Sequence, residues 1–208
     1  MSVVLLVRLK ITDLTAWTAL HTGRRLLPGG LELTRVARED LYLFEPEPGT
    51  GTEAFEEDLL RAVAGSNFFV NPNKEAYRYL RPRDRGERLV PPPGAWGILT
   101  RTRGDSADAG LRARLLREHP LTGLRAIRRG RLWWLWTRDP GGAPAAKACY
   151  EALGPVKGTG AGLLVNPHAE WDRLIDSGGI PWRELEQHLV PTPRQAEESA
   201  PAAGRGTT

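Results

Sequence analysis

The chain has 208 residues, of which 40% are hydrophobic and 26% charged, with a formal net charge of +4 and a pI near 9.6. That length can bury a core in one large domain or two small ones, and the modest basic excess is only a weak pointer to an anionic partner. A single cysteine, Cys149, excludes an internal disulfide, and no apolar run approaches the roughly 18 residues that a membrane helix needs.

Residues 3–10 are a short run rich in valine and leucine, of strand length. The start of the chain lacks the basic lead and small-residue cleavage site of a signal peptide, so a cytoplasmic protein is expected. Asp13 can cap a helix running through Leu14, Trp17, Leu20 and His21 to about Leu27, where Pro28, Gly29 and Gly30 stop it. Residues 31–37 and 41–45 are strand-like around the polar Arg38-Glu39-Asp40, which predicts a hairpin. Residues 53–64 place Phe55, Leu59, Leu60 and Val63 at helical spacing, with acids in the first turns. Residues 68–71 lead into Pro72, and 75–80 form a last extended or helical piece. A stretch rich in arginine and proline, residues 81–94, reads as a stiff, solvated linker.

The same order then recurs, with a strand at 95–101, a helix at 105–119, a hairpin from 124–128 and 132–137, and a helix at 143–153. The string Asn-Pro-x-x-Glu closes both halves, at 71–75 and at 166–170, an offset of about 95 residues, whereas the hairpins align at about 91. The slip of about four residues places an insertion after the second hairpin, at 154–162. The expected fold is α+β: two tandem β-α-β-β-α units, 1–80 and 95–174, forming an intramolecular pseudo-dimer of antiparallel sheets with helices on one face. The two units can pack their sheets or their sheet edges against each other, which hides the open edges. Residues 175–190, with Trp182, Leu185 and Leu189 at helical spacing, form an extra helix, and 191–208 is expected to be disordered.

Few residues are arranged for chemistry. His21, His119, His168 and His188 are isolated and lie near no other ligand at metal spacing, which favours structural or surface roles. Cys149 has no neighbouring base to activate it, and no nucleophile elbow, phosphate-binding Walker loop or zinc-protease motif occurs. The glycines at 158, 160 and 162 could bring amides to a phosphate, but a strand-like run follows them, which favours a flexible connector. Arg125, Arg128, Arg129 and Arg131 crowd the second hairpin, with Gly130 as its turn. They read equally as a solvated tip or as a site for phosphate or carboxylate. Trp133, Trp134 and Trp136 alternate along the next strand, so both of its faces are expected to be covered.

Asn71-Pro72-Asn73-Lys74-Glu75-Ala76-Tyr77 resembles the Asn-Pro-x-x-Glu-x-Tyr ending of PurS, the small subunit of phosphoribosylformylglycinamidine synthase. Residues 36–40, and Ile127-Arg128-Arg129-Gly130-Arg131, are similar to that family's Val-Arg-x-Gly-Lys hairpin. The resemblance covers 1–80 and 95–174. The second copy keeps Asn166, Pro167 and Glu170 but has Asp172 in place of Tyr77. The resemblance implies a subunit with no catalytic residues of its own, bridging a synthetase (PurL-type) and a glutaminase (PurQ-type) subunit so that ammonia from glutamine reaches the ATP-dependent site. It needs no cofactor itself, since ATP and magnesium belong to the synthetase. Asn71, Pro72, Glu75, Tyr77, Asn166, Pro167, Glu170, Arg128, Arg129 and Arg131 are then the candidate partner contacts. As plain geometry, each Asn-Pro string is equally a structural stop at a sheet edge. The alternatives are a scaffold or binding module of the same fold outside purine synthesis and, last, an RNA binder, for which no exposed aromatic pair stands among basic residues of one strand.

Overall fold

The computed structural model describes residues 2–26, 33–81, 87–103, 106–138, 142–154, 163–166 and 168–190. The helix stop at 28–30, the glycines at 158–162, Pro167 and the 191–208 tail lie outside them. The elements in order are β1 (Val3–Leu9), α1 (Leu14–Leu26), β2 (Leu33–Pro46), α2 (Thr52–Gly65), β3 (Glu75–Leu80), β4 (Arg88–Leu89), β5 (Ala95–Thr102), α3 (Ser106–Glu118), β6 (Leu124–Thr137), α4 (Gly142–Leu153), β7 (Glu170–Ile175), β8 (Ile180–Pro181) and α5 (Trp182–Leu189). The fold is α+β, with a six-stranded antiparallel sheet ordered β3-β1-β2-β6-β5-β7 and a two-stranded β4-β8 ladder.

Neither expected hairpin exists. Each is one long strand, so both halves read β-α-β-α-β. The polar residues 38–40 do not turn the chain because each is satisfied where it stands. Arg38 bonds Asp13 at 3.0 Å, Glu39 accepts from Arg78 and Trp134, and Asp40 pairs with Arg131. Gly130 likewise sits mid-strand opposite Leu41. A Cβ there would lie 2.8 Å from Leu189 and 3.1 Å from the Thr100 carbonyl, so the glycine makes room for packing.

The two halves therefore share one sheet through the β2–β6 ladder and do not pack two sheets together. Its registers repeat from either edge. Val3↔Phe44 and Val7↔Asp40 in the first half correspond to Trp96↔Leu135 and Thr100↔Arg131 in the second, and Leu9↔Glu75 corresponds to Thr102↔Glu170. In the central ladder Asp40 is paired with Arg131, so each faces its own counterpart.

Side chains alternate across the strands. On one face α2 and α3 cover Val3, Leu5, Phe44 and Ile127, while α1 and α4 cover Trp96, Ile98, Trp133 and Leu135. The first helix of each half thus packs into the cluster built on the other half: Leu115 of α3 joins Phe55 and Leu59 of α2, and Ala19 of α1 joins Cys149 and Leu153 of α4. Asp13 caps α1 by accepting from the Thr15 and Ala16 amides. The buried side of α1 is Ala16, Ala19 and Gly23, small residues that let the helix lie close, whereas Leu14 and Trp17 are exposed.

Helices are not confined to one face. The extra helix α5 crosses to the opposite side, where Trp182, Leu185 and Leu189 cover Leu99, Leu132, Trp134 and Ile175. The expected linker is partly packed there as well: Leu89 is buried in the same cluster, and Arg88 donates to the carbonyls of Gly178 and Gly179.

Candidate binding surfaces

The described residues of both Asn-Pro-x-x-Glu strings make the same closed turn. The Asn71 amide donates to Glu75 Oε2 (2.7 Å), Asn71 Oδ1 accepts from the Asn73 amide (3.1 Å), and the Asn71 carbonyl accepts from Lys74 and Glu75 (3.0 and 2.8 Å). In the second copy the Asn166 amide donates to Glu170 Oε2 (2.8 Å), Oδ1 accepts from His168 (3.1 Å), and the carbonyl accepts from Ala169 and Glu170 (3.0 and 2.7 Å). This is an Asx turn locked by a returning carboxylate, and it launches β3 and β7 in identical register. The Pro72 carbonyl accepts from Lys10 Nζ at 2.8 Å. The Asn and Glu polar groups are thus largely spent within the turn, which supports the structural side of the sequence reading.

The arginines of β6 lie along the strand, not at a tip. Arg125 and Arg128 both bond Glu45, a carboxylate that is only 3% exposed, Arg131 bonds Asp40 at 3.3 Å, and Arg129 stacks over the Tyr42 ring. Their charge is mostly balanced inside the molecule, which weighs against an arginine patch for phosphate. Tyr77 is 48% exposed and packs edge-on against Tyr79. Its counterpart Asp172 accepts from the Tyr150 hydroxyl, whose pKa is pushed up first by burial and then by that carboxylate.

Three of the candidates do meet. Arg131, Asn166 and Glu170 line a cavity of about 710 Å³ between α1 and the second turn, with Thr15, Thr102 and Trp133. The Trp133 Nε1 is buried and has no hydrogen-bond partner among the described residues. Asn71, Pro72, Glu75 and Tyr77 belong to the other half and do not reach it.

Two further grooves, of about 760 and 470 Å³, share Arg8, Glu39, Ala76 and Pro92 as lining; the larger also reaches Ala16, Trp17 and Leu20 of α1. Trp134 and Trp136 wall the larger one and the residues at 90–93 the smaller. Arg8 is exposed and has no hydrogen-bond or ion-pair partner among the described residues. Sequence reasoning missed Arg8 and its counterpart Arg101, although the alignment of the two first strands places one arginine in each. Arg101 is buried, and its Nε donates to the His188 carbonyl at the end of α5 (2.9 Å).

Burial pushes the Cys149 thiol up to about 11, away from the thiolate. His188 is lowered to about 4, first by burial and then by the charges of Arg101 and Arg173. No group of acids, histidines and cysteines suited to a metal is found among the described residues, and no described helix is long and apolar enough to cross a membrane. Compared with protein-family models, with curated proteins and with solved structures, the chain matches none.

Proposed function

We propose that this chain is a tandem pair of PurS-like units in one polypeptide, a non-catalytic subunit that bridges the synthetase and glutaminase subunits of phosphoribosylformylglycinamidine synthase. The observation that carries the reading is the recurrence of the Asn-Pro-x-x-Glu turn. The described residues of the string on which the resemblance rests make the same hydrogen bonds in both halves and enter the sheet in the same register from both edges. The hairpin likeness contributes nothing, since residues 36–40 and 127–131 lie within continuous strands.

A bridge needs two surfaces that tell its partners apart, and the halves differ where they are exposed. One carries Tyr77 and an open groove at Arg8; the other carries Asp172 and is covered by α5. In this role the ATP and magnesium of the reaction belong to the synthetase. α5, which lies outside the repeat, favours a second reading, a partner-binding scaffold of the same fold outside purine synthesis. One experiment separates them. Expressed in a purine-requiring strain that lacks the small subunit, together with a synthetase and a glutaminase subunit of that enzyme, it is expected to restore growth and to co-purify with both. Well-expressed protein that does neither refutes the purine assignment and leaves the scaffold.

A further inference from the structure

The second half shows what the outer face of this sheet can hold. There α5 is seated by two arginines on neighbouring strands. Arg101 of β5 donates to the His188 carbonyl at the helix end, and Arg173 of β7 bonds Glu184 in its first turn at 2.5 Å. The register places Arg101 opposite Trp171 and Leu99 opposite Arg173.

The first half has the same pair at the same places. Arg8 stands opposite Ala76, and Leu6 opposite Arg78. Among the described residues no helix of this chain lies over Arg8 and Arg78; they line the groove with Glu39 and Ala76, while Leu6 between them is already buried in the cluster that α5 joins. Arg8 is free, and Arg78, whose side chain is 47% exposed, reaches Glu39 at 3.1 Å while still facing the groove.

We propose that this face of the first half is a docking groove for one short amphipathic helix of a partner protein, seated on Arg8 and Arg78 as α5 is seated on Arg101 and Arg173. The chemistry of the occupant follows from the four positions. A carboxylate in its first turn meets Arg78, and the unpaired carbonyls of its last turn, the negative end of the helix dipole, meet Arg8. Two substitutions set its side chains apart from those of α5. Ala76 stands where the second half has Trp171, so the partner presents a bulky apolar side chain there. Glu39 stands where Gly130 admits Leu189, held in place by Trp134 Nε1 at 2.8 Å, so the partner's last turn carries a small residue. The rigid segment at 90–93 forms one wall, which limits the groove to a single helix. The proposal goes beyond the bridging role and does not depend on the purine assignment, since it needs only a protein with such a helix.

The probe is a stapled peptide of residues 180–190 with Leu189→Ala, titrated into the full 15N-labelled chain. The expected result is shifts at the Arg8, Ala76 and Arg78 amides, with a Kd raised about tenfold by Arg8→Gln in the protein and at least about threefold by Glu184→Gln in the peptide. Arg8 is exposed and unbonded, so the variant's spectrum should otherwise overlay that of the parent, which separates lost binding from lost folding. Three outcomes would each overturn the proposal: no shift at those amides with millimolar peptide, shifts that persist unchanged in Arg8→Gln, or shifts centred on Arg101 and Trp171, which mean exchange with α5.

Discussion

Asp40 and Arg131 meet at the one rung of the β2–β6 ladder where a residue faces its own counterpart in the other half. In a dimer of either half alone that rung would oppose two aspartates or two arginines, which is unfavourable directly across a ladder. Here the charges are opposite and 3.3 Å apart, with each side chain 40% exposed. Asp40→Arg should therefore lower stability by only about 1 kcal/mol, and the swapped pair Asp40→Arg with Arg131→Asp should regain most of it. Urea melts of the double-mutant cycle measure this, and an additive double variant would show that the rung carries no coupling. At this scale the sequence was legible where a polar residue acts locally, as with Asp13 at its helix start and Asn71 in its turn. It was misleading at Arg38-Glu39-Asp40, which looks like a turn because its partners, among them Arg78 and Trp134, are distant in sequence.

Among the elements, the two long strands and α1 show how close approach overrides pattern. A sequence pass counts Leu14, Trp17 and Leu20 as the apolar side of α1, yet of these only Leu20 packs against the core; Ala16, Ala19 and Gly23 are the buried residues, and a Cβ on Gly23 would already lie 3.0 Å from Leu33. The extra helix, by contrast, was readable from Trp182, Leu185 and Leu189, though not the face it covers. Its docking should depend on pH. The folded state holds His188 neutral, with a pKa of about 4, while the unfolded chain takes up a proton near the ordinary 6.5. Its contribution is thus fully present above about pH 6.5, falls as the pH drops towards 4, and is flat below. Hydrogen-exchange protection of the α5 amides should decline across that window in the parent and much less in His188→Gln; an equal decline in both would dismiss the histidine as the cause.

For the whole molecule, the likeness of the two halves was legible in the spacing of two short strings, but which of the two joins they use, sheet on sheet or edge to edge, was not. Joining depends on which edge of β2 is left open, and no local pattern records that. Because α1 and α3 each complete the other half's core, residues 2–81 alone lack Leu115, Leu121, Leu124 and Ile127, four members of their own hydrophobic cluster. A fragment of residues 2–81 should stay unfolded by circular dichroism, whereas co-expression with residues 87–190 should yield a folded heterodimer in which neither fragment pairs with itself. A cooperative melt of the isolated first fragment would contradict this account.

The exchange of α1 and α3 also sets a timetable for synthesis. The first half leaves the ribosome with Phe44, Phe55 and Leu59 on a face that stays uncovered until α3 and the start of β6 have followed, and the central ladder waits until β6 is complete. At about 5–20 residues per second that interval lasts several seconds, long compared with collapse of a small chain. During it the nascent chain exposes the apolar segments of a first half that cannot yet fold, which chaperones bind and aggregation exploits. Yield in the cell should then respond to translation speed between residues 81 and 137 more than to any surface substitution.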